Sequence, residues 1–207
     1  MTNIFKKFLF SSFQRVWSKW YPKHTEVALD TKHVQHCKVL ADRLDMLDLL
    51  PQNAVIAELG VEEGLFSKEI LARCVPTQLI LVDTWPDARI KATCVTNAMI
   101  PEKIVMHHTT SVEYLKSVAE NSLDWVYIDT DHTYATTKAE LEAAAIAVKK
   151  EGYICGHDYT SISYSGLRRY GVVEAVNEFC VNYDYEFTYL TAETTRHISF
   201  ALRKIGN

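Results

Sequence analysis

Glu58-Leu59-Gly60-Val61-Glu62-Glu63-Gly64 is the stretch whose reading decides the fold. It follows an apolar run at residues 54–59 and precedes an amphipathic stretch at 65–74, which places it at the turn between a buried strand and a helix. Glycine in such a turn adopts a positive φ without steric cost and lets a ligand come close to the backbone. The spacing is not GxGxxG, because Leu59 stands before Gly60 and two acids stand before Gly64. Glu62 and Glu63 suit a cationic ligand better than a pyrophosphate, which seeks bare N–H groups. Alone, the glycine pair is compatible with any nucleotide-binding fold.

Outward from this turn the chain alternates. Short apolar runs at 78–82, 103–107, 125–128 and 153–156 read as further strands. Amphipathic stretches at 32–50, 65–74, 112–119, 136–150 and 172–180 read as helices. In the first of these, Val34, Cys37, Leu40, Leu44, Leu47 and Leu50 share a face, and Pro51 ends it. Continuous apolar strands separated by helices predict an α/β fold, a parallel sheet covered on both faces. Residues 185–190 and 197–203 then read as two successive strands, a terminal hairpin where a dinucleotide-binding fold would continue with another crossover.

Ligands of a doubly wound sheet sit beyond the carboxyl ends of its strands. Asp83 ends the second strand, where a carboxylate accepts hydrogen bonds from both ribose hydroxyls, and the aromatic face of Trp85 is placed to cover an adenosine. Asp129, Asp131 and His132 follow the fourth strand, and His157 and Asp158 follow the fifth, so these groups are expected to share one cleft. Two arrangements fit. Asp129 and Asp158, with His157, would hold a divalent ion such as Mg2+ or Mn2+. Alternatively, His132 or His157 acts as general base, oriented by the acids. The plainer roles are structural: Asp129 and Asp131 as helix caps, His157 and Asp158 as a turn, Glu58 and Ser111 as caps, Trp85 as core. His107 and His108 read as edge polar residues. His33 and His36 line the cleft entrance or face water.

Several motifs together carry a family resemblance. Ala57-Glu58-Leu59-Gly60-Val61-Glu62-Glu63-Gly64-Leu65-Phe66-Ser67 and Leu81-Val82-Asp83-Thr84-Trp85 resemble the first two motifs of class I S-adenosylmethionine-dependent methyltransferases. The likeness is nearest to a subgroup with a strand-two Asp-x-Trp and a strand-five Gly-His-Asp-Tyr, methyltransferase domain family 24. Asp129-Thr130-Asp131-His132, Gly156-His157-Asp158-Tyr159 and Gly171-Val172-Val173-Glu174 extend it over about residues 31–203. The resemblance implies a Rossmann-like, doubly wound, seven-stranded sheet, mostly parallel with the last strand antiparallel, and S-adenosyl-L-methionine as cofactor. It implies that Glu58 and Gly60, with Gly64 in the same turn, border the methionine part, that Asp83 holds the ribose, and that Ser111 lies near the adenine. Metal-dependent O-methyltransferases are similar here too, with an acid after strand four and an acidic pair after strand five. This chain offers His157 in place of the first acid of that pair. His132 stands three residues past the strand-four acid, where that group often carries a basic catalytic residue.

With 207 residues, 48% hydrophobic and 23% charged, the chain has the composition of one folded domain. A net charge of −4 and a pI near 6.1 give no general attraction to nucleic acid. Five scattered cysteines without a CxxC argue against a disulfide framework or zinc site, and for a reducing, cytoplasmic setting. No apolar run reaches the roughly 18–20 residues of a membrane span. Residues 1–25 carry five basic residues and no acid, with Phe5, Phe8, Leu9, Phe13, Trp17 and Trp20 at helical spacing. Residues 1–30 therefore read as a basic amphipathic extension to a methyltransferase domain at 31–207. It would pack on that domain, on a second subunit of a homodimer, or peripherally on an anionic membrane. No small-residue cleavage site follows it, so a secretory signal is not expected. Tyr159, Tyr164, Arg168, Arg169 and Tyr170 suit an acceptor bearing sugar, phosphate or carboxylate groups, or a subunit contact.

The expected function is O-methylation of a small hydroxylated acceptor, a saccharide being favoured, with His132, Asp129 and His157 as catalytic residues. Asp129, His157 and Asp158 are the expected metal ligands. The alternatives are an NAD(P)-dependent oxidoreductase and a catalytically inactive cofactor-binding module.

Overall fold

The structure, a computed structural model, describes residues 27–98, 101–163, 168–193 and 197–206, together with residues 7, 10–12 and 15. Its elements run β1 (Lys38–Leu40), α1 (Arg43–Leu49), β2 (Val55–Leu59), α2 (Leu65–Cys74), β3 (Gln78–Asp83), α3 (Ala88–Ala98), β4 (Ile104–His108), α4 (Ser111–Ser117), β5 (Leu123–Ile128), α5 (Tyr134–Ala147), β6 (Val148–Gly156), β7 (Ile162–Ser163), β8 (Arg168–Arg169), α6 (Val172–Tyr183), β9 (Tyr185–Thr191) and β10 (Phe200–Lys204). Most of the basic segment at 1–25 lies outside the described residues, as does Tyr164. Among the described residues no helix is long and apolar enough to cross a membrane.

Eight strands form the main sheet in the order β1-β9-β10-β6-β5-β2-β3-β4. β10 runs antiparallel to both its neighbours, and the other pairings are parallel. This is the Rossmann-like, mostly parallel α/β sheet expected, with the terminal hairpin supplying the antiparallel strand. The eighth strand is β1, and it corrects the single helix read over residues 32–50. Residues 38–40 instead pair with the open edge of β9, Lys38 opposite Tyr189 and Leu40 opposite Thr191. Asp42 then caps α1, its Oδ1 accepting from the backbone N–H groups of Leu44 and Asp45 at 2.7 and 3.0 Å. The shared periodicity was real only for α1, where Met46 and Leu47 are buried. Seven residues are too few for a helix to stand alone, so this burial holds it.

Successive residues of β5 serve opposite faces. Trp125 and Tyr127 pack with Met46, Ile70 and Leu79, while Val126 and Ile128 pack with Leu141, Val176 and Phe179. Each such fully buried side chain contributes about 2 kcal/mol relative to exposure. Cores on both faces hold the strands in one register, and that register builds the site. Leu59 pairs with Val82 and with Ile128, and Ile128 pairs with Gly156. The residues that follow this row are Gly60, Asp83, Asp129 and His157, so four loops open at the same edge.

Candidate active site

Gly60 sits at φ +84°, and a Cβ on it would lie 1.8 Å from the Asp129 carbonyl oxygen. Only glycine fits there, because the loop after β2 crosses directly against the loop after β5. Asp83 fastens the same turn. Its Oδ2 accepts from the N–H groups of Val61 and Glu62, each at 2.8 Å, and its Oδ1 from that of Trp85 at 2.7 Å. Trp85 is only 3% exposed and donates its indole N–H to the Glu62 carbonyl at 3.0 Å. This corrects its expected role: the indole braces the turn from behind and presents no face to the cavity. Gly64 is likewise absent from the cavity wall. It begins α2 at φ +73°, with Cys94 Sγ 3.0 Å from where its Cβ would be, so helix packing accounts for it.

In front of this turn lies a cavity of about 880 Å³, within the range of small-molecule sites. Gly60, Asp83, Ser111 and His132 all line it. Among the described residues, so do six acids, Glu58, Glu62, Glu63, Asp83, Asp129 and Asp131, against the single guanidinium of Arg43. Such a wall repels a pyrophosphate and suits a cation. Glu58 accepts from Ser67 Oγ at 2.5 Å, and burial pushes its carboxyl up to about 8. Thr110, and not Ser111, caps α4, in a reciprocal pair with Glu113. Ser111 Oγ instead donates to Glu140.

Asp129, His132 and Asp158 offer one ligand atom each within 4.8 Å of one another. His132 Nε2 contacts Asp158 Oδ2 and lies 3.6 Å from Asp129 Oδ1. Burial pulls His132 below the usual histidine range, against the raising field of Asp158 and Asp131, so its imidazole is neutral and basic at neutral pH. Burial works to raise Asp158, but contacts with His157, His132 and His197 outweigh it and hold its carboxyl low. Asp129 moves the other way. Burial pushes it up to about 6, with His157 opposing and Asp158 assisting.

This arrangement differs from the expected metal set. His157 Nδ1 stands 3.4 Å from Asp158 and 3.6 Å from Asp129, beside the converging atoms, while its Nε2 is buried without a partner. Among the described residues, His132 takes its place in the converging group. Asp131 is a loop clasp, accepting from Thr133 N–H and Thr136 Oγ1 at 2.9 and 2.8 Å. His33 is buried and accepts from the Asp30 N–H, and His36 pairs with Glu186. Neither lines the cavity. His107 packs against the Tyr114 ring, and His108 contacts the Thr84 carbonyl.

Residues 57–159 match the family described as "Methyltransferase domain". The fold is similar to solved structures of low sequence identity. A Clostridium thermocellum protein assigned as an rRNA-methylase has 14% identity, a TM-score of 0.62, and coverage of 80% of this chain and 94% of its own. The N-methyltransferase NodS from Bradyrhizobium japonicum WM9 has 14% identity, a TM-score of 0.56 and coverages of 78% and 92%. The B. subtilis tRNA methyltransferase TrmK has 13% identity, a TM-score of 0.58 and coverages of 80% and 66%. The chain has a Rossmann-like methyltransferase fold. No curated protein matches the chain in sequence.

Three residues of this methyltransferase fold escape a sequence reading. Arg43 reaches the cavity from α1, 4.4 Å over the Phe66 ring and 3.9 Å from Asp129. His197 contacts Asp158 Oδ1 from the loop before β10. Glu140 points from mid-α5 into the wall between Ser111 and Thr130. No local motif marks any of them. The only signal was that Glu140 falls on an otherwise apolar helix face, beside Leu141 and Ala144. In the segment after β6, Arg169 is committed to Glu174 at 2.8 Å and Tyr159 to Asn177 at 2.6 Å. Arg168 is exposed.

Proposed function

We propose that this domain methylates an oxygen of a small hydroxylated acceptor, a saccharide being the favoured class, with S-adenosyl-L-methionine as donor. The observation that carries the reading is the junction of two dissimilar walls on one cavity. An acid-rich turn bounded by Gly60 and Asp83 meets a neutral, half-buried histidine, His132, backed by Asp158.

The residues present fit the cofactor. Bound there, it supplies an electrophilic methyl on a cationic sulfonium. Asp83 and Ser111 are assigned to its nucleoside half, and Glu58 and Gly60 to its methionine half. Asp83 already accepts three backbone N–H groups, two on Oδ2 and one on Oδ1, so a ribose would use the lone pair left on Oδ1. His132 is assigned as the base: its Nε2 faces the acceptor-only carboxylate of Asp158 and so carries the ring proton, which leaves Nδ1 to take the acceptor's hydroxyl proton while Asp158 stabilises the imidazolium. Alternatively, Asp129, His132 and Asp158 would hold a divalent ion, which would acidify a hydroxyl at the site in place of a histidine base. Arg168, whose charge acts on His132, supports an acceptor rich in hydroxyl or anionic groups.

Calorimetry with S-adenosylhomocysteine, with and without Mg2+ or Mn2+, tests the reading. Binding in either condition, lost in Asp83→Ala, is the expected result. Absence of binding in both overturns it.

A further inference from the structure

Glu140 carries a consequence beyond methyl transfer itself. It is fully buried, on the inner face of α5. Its Oε1 accepts from Ser111 Oγ, and Thr130 Oγ1 donates to both its oxygens, at 2.9 and 3.1 Å. Ser111 and Thr130 come from different loops, after β4 and after β5, and both line the cavity. An ionised carboxylate only accepts hydrogen bonds, and a hydroxyl has one hydrogen to give. Each hydroxyl has therefore spent its hydrogen on Glu140 and keeps only lone pairs for a ligand.

We infer that Glu140 is a positioning residue that sets both hydroxyls as acceptors and so makes the cavity select a 6-amino purine over a 6-oxo purine. The inference rests on the cofactor reading above, which places Ser111 at the base. An exocyclic amine donates to such acceptors. A carbonyl at the same position sets lone pair against lone pair, and a mismatch of this kind inside a closed site costs affinity sharply.

The test is calorimetric binding of S-adenosylhomocysteine and S-inosylhomocysteine to the full chain. Burial pushes the Glu140 carboxyl up to about 7, so the comparison is made near pH ~8.5, where it is ionised. The native chain should prefer the adenosyl compound by about tenfold or more. In Glu140→Gln the amide donates to one hydroxyl, which frees that hydroxyl's hydrogen for a carbonyl, and the preference should shrink to about threefold or less. Ser111→Ala, which leaves Glu140 in place, should weaken the adenosyl compound more than the inosyl one. A native chain that binds both equally overturns the inference while leaving the cofactor reading intact. So does a Glu140→Gln variant that keeps the full preference. If the native chain binds neither compound, the cofactor reading falls and this inference with it.

Discussion

His132 and Asp158 meet across the seam between β5 and β6, Nε2 against Oδ2, and both hold left-handed backbone, at φ +64° and +60°. Neither is glycine, so each conformation costs about 1–2 kcal/mol. The neighbouring chain holds them there. Gly171 N–H donates to the His132 carbonyl at 2.9 Å, and Tyr159 N–H, next to Asp158, donates to the Ile198 carbonyl at 2.9 Å. Strain kept in place by surrounding hydrogen bonds, at a cavity edge, is characteristic of residues positioned for chemistry.

Removing His132 should separate binding from turnover. His132→Ala is expected to bind S-adenosylhomocysteine within about threefold of the native chain and to turn over about 100-fold more slowly. A set of hydroxylated acceptors assayed for methyl transfer, alongside calorimetry, reads both quantities. Undiminished turnover would remove His132 from the role of base.

Two glycines with nearly equal φ separate crowding from strain. Gly60→Ala drives a Cβ into the Asp129 carbonyl, whereas a Cβ on Gly206, at φ +88°, meets nothing within 4 Å. Gly206→Ala should cost about 1 kcal/mol from φ alone. Gly60→Ala should cost roughly 3 kcal/mol or more in denaturant unfolding, with cofactor binding impaired. Equal losses would show that the close approach of the two loops is unimportant.

Stability should fall as pH rises, through Glu58. Its carboxyl titrates near the ordinary 4.5 when unfolded and at about 8 in the fold. Its contribution is therefore fully present below the lower value and is lost as pH rises through the higher one. Glu58→Gln cannot titrate but still accepts from Ser67. Between about pH 5 and pH 8.5, the native chain should lose a few kcal/mol more stability than this variant. Glu140, raised to about 7 by burial, shifts both proteins in the same direction. Parallel pH profiles would refute the effect at Glu58.

The two metal-ligand sets make different demands. If Asp129, His132 and Asp158 take the ion, Mn2+ at about 100 times its dissociation constant should stabilise the native chain by roughly 2.7 kcal/mol. His157→Ala should retain that stabilisation and Asp158→Asn should lose it. Thermal melts with and without Mn2+ decide the matter, and loss of the effect in His157→Ala would restore His157 as a ligand.

The residue pattern alone determined the layered α/β sheet, the terminal hairpin, and the strand ends where Gly60, Asp83, Asp129 and Asp158 lie. Those features are local, since the period of apolar residues and the place of a glycine turn are properties of short segments. Tertiary structure decided the rest. β1 exists only because β9 offers an unpaired edge, against a helical period in its own residues. Trp85 became a brace because its N–H finds the Glu62 carbonyl on another loop. His132 displaced His157 from the converging group because left-handed backbone at His132 and Asp158 turns those two side chains together. Arg43, Glu140 and His197 reach the site from segments far apart in sequence, and only packing brings such groups together.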